Sequence, residues 1–227
     1  MGTTEAAFRT PHGNWITMLV RDDTSDWNTV NACTEVGDEY GIPQGLTGWA
    51  LDVGAHIGAF TVTFLVDNPD ARCVAIEALP ENVELLRANL ARNNVADRAF
   101  VINGGASDSG LPVQVHYSTD PHHEFIGSAG GAGRVAEVPG VMLADVLTIT
   151  SAVGVDRIAL AKIDCEGCEY PFLSSPAIGQ VDRIVGEVHF GSQQLRAILE
   201  ATHEVLFPEL ASNPDFGPFE ARRLVEA

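Results

Sequence analysis

Basic residues are scarce. The chain of 227 residues holds 13 Lys and Arg against 31 Asp and Glu, a formal net charge of −18. Nucleic-acid binders draw much of their affinity from neutralising phosphates, and adhesion to anionic lipid needs clustered basic residues. Neither partner is expected; a small molecule fits the balance better, and the acidity favours solubility. Long apolar runs are missing as well. None approaches the ~18–20 residues that span a bilayer, so no membrane partner is expected. The stretch from Met1 to Met18 carries Glu5, Arg9, His12 and Asn14 and has no apolar region of a secretory signal. Gly2 is followed by Ala6, where a myristoylation motif wants Ser or Thr. A cytoplasmic location is the expectation.

Cysteine is equally thin. Cys33 and Cys73 stand alone, and Cys165 and Cys168 form one C-x-x-C. No second close pair completes a zinc site. The pair follows a strand, as a redox motif does, yet its interior is Glu166-Gly167 and Lys162, Asp164 and Glu169 flank it. Small packing residues in a reducing compartment are the expectation. No repeat is visible, and Gly127 to Gly133 reads as a flexible loop.

What is present is an alternation. Hydrophobic residues make up 45%, enough for one α/β domain with a sizeable core. Strands are read at Trp49–Val53, Cys73–Glu77, Ala99–Ile102, Ile158–Ile163 and Ile184–His189. Helices are read at Ala59–Val66, from Pro80 to about Asn93, at Ala144–Thr150, from Glu169 to Leu173 and at Gln193–Thr202. Pro80 suits a first helical turn, and Val83, Leu86 and Leu90 recur at helical spacing. Val113–Tyr117 alternates like an edge or hairpin strand, and His203–Phe207 with Phe219–Leu224 reads as a terminal antiparallel pair. The expected fold is α/β and Rossmann-like: a mostly parallel central sheet, helices on both faces and a C-terminal antiparallel strand pair. A single domain over 1–227 is expected, with 1–48 an extension helping to form an acceptor site, 49–189 a cofactor-binding core, and 190–227 a terminal helix and strands. In such sheets ligands bind past the carboxyl ends of the strands. Asp52, Glu77, Asn103, Asp164 and His189 would meet on that rim.

The most informative stretch runs from Leu51 to Gly58. Gly54 permits a sharp turn and Gly58 a close helix–sheet approach. A dinucleotide fingerprint needs a middle glycine to clear room for a pyrophosphate; here that place holds His56. Asp52 at the strand end would repel a pyrophosphate. It would attract a ligand carrying an ammonium and a sulfonium, as S-adenosylmethionine does. Glu77, about twenty residues on, stands where an acid holds ribose hydroxyls, with Ala78 beside it. Gly105 and Ala106, after the third strand, would let an adenine approach the backbone.

With these motifs assembled, the chain resembles the FkbM family of S-adenosylmethionine-dependent methyltransferases. Asp52-Val53-Gly54-Ala55-His56-Ile57-Gly58 resembles its glycine turn, with His56 in place of the usual Asn. Glu77, Pro80-Glu81-Asn82-Val83-Glu84-Leu85-Leu86 and Asn89 to Asn94 resemble its acid and following helix. Lys162-Ile163-Asp164-Cys165-Glu166-Gly167-Cys168-Glu169 resembles its acidic segment, with cysteines in place of small apolar residues, and Glu187-Val188-His189 its E-x-H strand end. Leu143-Ala144-Asp145 matches a family motif one place out of register, and the N-terminal region matches no motif. The resemblance implies S-adenosylmethionine as cofactor, methyl transfer as activity, and an active site lined by the segment of Asp164 and Glu166.

A hydroxyl acceptor needs its proton removed, which a positioned base accelerates roughly 10²–10⁴-fold. Asp164, Glu166 and His189 are the catalytic candidates. His189 is read as a base because an unperturbed imidazole titrates near pH 6.5, about right for that work. Asp164 or Glu166 capping the next helix is the structural alternative. No metal is expected; His122-His123-Glu124 is read as a substrate contact rather than a metal pair, and Tyr117 to Arg134 as a lid. The acceptor is expected to be a small natural product or sugar hydroxyl. A small amine or guanidine is the second reading, and an NAD-dependent oxidoreductase or a non-catalytic nucleotide-binding module the distant ones. A homodimer is left open.

Overall fold

The computed structural model describes residues 2–117, 127–128, 133–189, 191–207 and 216–224. The expected contacts at His122, His123 and Glu124, and most of the expected lid, lie outside them. In chain order the elements are β1 (Thr3–Arg9), β2 (Trp15–Arg21), α1 (Asp26–Ala32), β3 (Gly48–Val53), α2 (Ala59–Asp67), β4 (Ala71–Glu77), α3 (Pro80–Arg92), β5 (Ala99–Asn103) and β6 (Gly105–Ala106). They continue with β7 (Val113–Tyr117), β8 (Gly127–Ser128), β9 (Arg134–Val138), β10 (Gly140–Val141), α4 (Leu143–Ser151), β11 (Leu160–Ile163), α5 (Glu169–Leu173), β12 (Arg183–Val188), α6 (Ser192–Leu199), β13 (His203–Leu206) and β14 (Gly217–Arg223).

The central sheet has seven strands in the order β13-β14-β12-β11-β3-β4-β5. β12, β11, β3, β4 and β5 run parallel, and β14 is antiparallel to both β12 and β13. This is the expected Rossmann-like sheet with its terminal antiparallel pair. Strands buried on both faces carry apolar residues at nearly every position, as β3, β4 and β11 do. Alternate residues then serve opposite layers. Leu51, Val53, Ala161, Ile163 and Val188 pack against Val146 of α4, Phe172 of α5 and Leu195 of α6. Ala50, Ala75, Leu160 and Val185 pack against Phe60 and Phe64 of α2 and Leu86 and Leu90 of α3. A fully buried phenylalanine contributes roughly 1.5–3 kcal/mol.

Outside the sheet, β1 and β2 form a hairpin that the sequence reading did not resolve. The asparagines of α3 stitch it on: Asn89 Oδ1 accepts from the Leu19 N–H at 2.7 Å, and Asn93 Oδ1 from the Thr17 N–H at 2.9 Å. β7 pairs with β9, as its alternation predicted for a hairpin strand. Among the described residues no helix is long and apolar enough to cross a membrane.

Candidate active site

The chain turns from β3 into α2 through Gly54 to Gly58. Gly54 has φ +76°, and a Cβ there would collide with the Asp164 carbonyl oxygen. Gly58 has φ +87°, and a Cβ there would meet Leu86 of α3. Each glycine is therefore required by a left-handed backbone and by a close approach. His56 takes φ +51° and Glu166 takes φ +55° without being glycine. Such conformations persist where the surroundings enforce them, and they concentrate at functional sites.

A cavity of about 500 Å³ opens beside this turn, within the range for small-molecule and cofactor sites. Gly54, His56, Glu77, Ala78, Gly105, Ala106, Asp164 and Glu166 all line it. The sequence reading named each of them. Thr29, Cys33 and Tyr40, from the N-terminal segment, join the wall. Local motifs did not find these three.

Glu77 closes β4 as a buried carboxylate with three donors. Its Oε2 accepts the His56 N–H at 2.8 Å; its Oε1 accepts the Leu79 N–H at 2.9 Å and an Asn82 Nδ2–H at 3.0 Å. Burial nonetheless raises its pKa. A carboxylate offers about four acceptor sites, so one remains for a ligand hydroxyl. His56 is also buried, and burial lowers its pKa to about 4, so at neutral pH the ring is uncharged. Its Nδ1 has no hydrogen-bond partner among the described residues. A buried polar atom without a partner on a cavity wall is a ready contact for a ligand.

Asp52, Gly58 and His189 do not appear on the cavity wall. Asp52 needs a correction: its carboxylate is not free to meet a cationic ligand. It is fully buried, takes a hydrogen bond from Thr61 Oγ1 at 2.6 Å, and faces Lys162 Nζ at 3.5 Å. The reason is register. Asp52 and Lys162 are directly paired on β3 and β11, so both side chains leave the sheet on the α2 side. Lys162 is the sole lysine of the sequence. Its ammonium also donates to the Gly54 carbonyl at 2.8 Å and lies 3.8 Å from Asp164 Oδ2. Burial alone would lower its pKa, but Asp52 and Asp164 raise it. Lys162 thus fastens the glycine turn to the acidic segment.

Past the end of β11, Tyr40 donates its hydroxyl to Asp164 Oδ2 at 2.8 Å. His189 Nδ1 is 2.8 Å from Glu169 Oε1. His189 Nε2 faces Glu166 Oε2 at 3.4 Å, Glu187 Oε2 at 3.5 Å and Asp164 Oδ1 at 3.8 Å. The structure corrects the expectation of an ordinary imidazole. Burial would lower the His189 pKa, but the Glu169 hydrogen bond and the surrounding carboxylates raise it to about 10. The ring is cationic at neutral pH and is not a free base. Burial instead raises the pKa of Glu166, more strongly than His189 lowers it. The reading of Cys165 and Cys168 as reduced packing residues is likewise corrected. They form a disulfide, closing a short ring around Glu166 and Gly167 (φ +107°). Cys33 and Cys73 are free and buried.

The rim therefore combines a glycine turn, a strand-end acid with capacity for a hydroxyl, and, against the turn, an acidic segment on the same cavity. Residues 52–211 match the family model described as the methyltransferase FkbM domain, and the chain belongs to that family. It is an S-adenosylmethionine-dependent methyltransferase, and the partnerless His56 Nδ1 and the spare acceptor of Glu77 fit that cofactor. Among solved structures it is similar to a precorrin-6y C5,15-methyltransferase from Geobacter metallireducens GS-15, at 12% identity and a TM-score of 0.50, over 85% of this chain and 90% of that one. This likeness shows the fold. It is also similar to an rRNA methylase from Streptococcus thermophilus, at 11% identity and a TM-score of 0.46, over 82% and 92% of the two chains. An O-methyltransferase from Bacillus cereus in complex with SAH gives 13% identity and a TM-score of 0.44, over 77% and 74%. No curated protein matches the chain.

Proposed function

We propose that the protein methylates a hydroxyl group of a small-molecule acceptor seated at the Asp164–Glu166 end of the cavity. The observation that carries this reading is Glu166: a carboxylate on the cavity wall, partly exposed, with its pKa raised by burial. A base works best when its pKa lies near the working pH, and burial moves Glu166 that way. The cofactor supplies a methyl group already activated by its sulfonium. The protein has to orient the acceptor, exclude water and accept a proton. In this reading Glu77, Ala78, His56, Gly105 and Ala106 hold the cofactor. Gly54 and Gly58 shape its turn, and Asp52 acts through Lys162. Glu166 Oε takes the hydroxyl proton. Asp164, held by Tyr40, orients the acceptor, and His189 positions Glu166. Thr29, Cys33 and Tyr40 support a role for residues 1–48 in binding the acceptor.

A second reading rests on the same acids. Burial raises the pKa of both Glu39 and Glu166, and the neighbouring Asp164 and Glu187 carboxylates raise both further; such an acidic cluster favours a cationic amine acceptor. One substitution separates the two. Acceptors are first found by screening small-molecule extracts with a radiolabelled methyl donor. Glu166→Gln should then lower kcat on a hydroxyl acceptor roughly 10²-fold or more, with S-adenosylhomocysteine affinity unchanged. A rise in KM at constant kcat points to the amine. Unchanged kcat and KM together remove Glu166 from the site.

A further inference from the structure

Between the ends of β11 and β12, Asp164, Glu187 and His189 each offer one ligand atom, and these three atoms all lie within 4.8 Å of one another. His189 Nε2 is 3.5 Å from Glu187 Oε2 and 3.8 Å from Asp164 Oδ1. These gaps are too long for good hydrogen bonds. They are near the spacing of atoms that share a central ion, since ligands ~2.1 Å from a metal stand roughly 3.0–3.5 Å apart.

The second observation concerns the imidazole. Its side chain is 5% exposed, and Nε2 has no hydrogen-bond partner among the described residues. The opposite nitrogen is fixed on Glu169, which is itself buried at 1% exposure. A carboxylate behind the far ring nitrogen orients a ligating histidine and strengthens it as a donor. Glu166 Oε2, at 3.4 Å from Nε2, offers a further oxygen. One nitrogen among carboxylate oxygens suits a divalent first-row cation rather than a thiolate-loving one.

We propose that Asp164, Glu187 and His189 bind a divalent transition-metal ion, of which Mn²⁺ is the working example, immediately behind the Asp164–Glu166 wall of the cavity. Bound there, the ion would fill the space between these side chains and meet Nε2, the nitrogen left without a hydrogen-bond partner among the described residues. Its role, polarising the acceptor hydroxyl beside Glu166, rests on the hydroxyl reading above; its binding does not.

The test is an EPR titration of the whole, chelator-treated chain with MnCl₂, reading the free-ion signal. One ion per chain is expected, with ¹⁴N coupling in the pulsed spectrum from the imidazole. Glu187→Gln keeps the shape and removes one charge; it should weaken binding at least tenfold. His189→Gln should erase the nitrogen coupling. No stoichiometric binding to the wild-type chain overturns the proposal, and so does wild-type affinity in Glu187→Gln. Calorimetry with S-adenosylhomocysteine runs alongside. Intact cofactor binding without Mn²⁺ uptake sinks the metal site alone, whereas absent cofactor binding sinks the assignment of the cavity.

Discussion

Acid should loosen this fold through His56, and one substitution isolates the effect. The imidazole is buried. Its Nε2 lies 3.5 Å from both Asp26 Oδ1 and Arg21 Nη2. Burial, opposed by Asp26 and reinforced by Arg21, holds its pKa at about 4, whereas in the unfolded chain it titrates near 6.5. Above pH 6.5 the ring is neutral in both states and pH has no leverage. Between 6.5 and 4 the unfolded chain takes up a proton that the folded protein refuses, so stability falls as pH drops. The loss amounts to about 2 kcal/mol at pH 5 and levels off near 3 kcal/mol below pH 4. Asp52, Glu77 and His189 also titrate abnormally, so wild-type data alone cannot isolate one ring. The assay is urea unfolding of wild type and His56→Asn at pH 7.5 and pH 5.0. Asparagine tolerates the left-handed φ that this position imposes, and the double difference cancels the shared groups. The wild type should lose about 2 kcal/mol more than the variant on acidification. An equal loss in both would refute the burial argument.

Three further outcomes follow from the same geometry. Glu77→Gln sets an amide N–H against the His56 N–H, which should cost roughly 1.5–3 kcal/mol in denaturant unfolding and weaken S-adenosylhomocysteine binding at least tenfold in calorimetry; unchanged values in both would dismiss the role of this acid. Gly54→Ala adds a methyl group against the Asp164 carbonyl at a positive φ and should lower Tm by roughly 4 °C or more; a wild-type melting curve would show that the turn is not that tight. Thiol titration in denaturant should count two thiols before reduction and four after, from Cys33 and Cys73 and then Cys165 and Cys168; four without reductant would remove the disulfide.

The parts of the structure visible in the sequence are those set by local periodicity. β3, β4 and α3 declare themselves through a buried run, a strand-end acid and the spacing of Val83, Leu86 and Leu90. The positions of Gly54, Glu77, Ala78, Gly105 and Ala106 on one cavity follow from the parallel topology, because every strand delivers its end to the same rim. What was not visible depends on pairing over long separations. Asp52 looks like a free strand-end acid until β11 arrives in register and sets Lys162 opposite it. A chain with a single lysine, placed inside a motif, was the available hint. The His189 pKa is set by Glu187, two residues before it, and by Glu166 and Glu169 of the segment past β11, and no local spacing encodes the meeting of those two segments. The β1–β2 hairpin was missed because its anchors read locally, Asn89 as part of a helix motif and Asn93 as a helix end, rather than as donors and acceptors for a distant strand.

The internal placement of Lys162 also determines how the protein meets reagents from outside. With the chain's one ε-amine spent on the interior, the folded protein presents no lysine side chain at its surface to an acylating dye or crosslinker. Any label that mass spectrometry finds on Lys162 records a reagent that has entered the cavity this residue lines and displaced its ammonium from Asp52 and the Gly54 carbonyl, so the same residue doubles as a chemical stopwatch for access to the cavity.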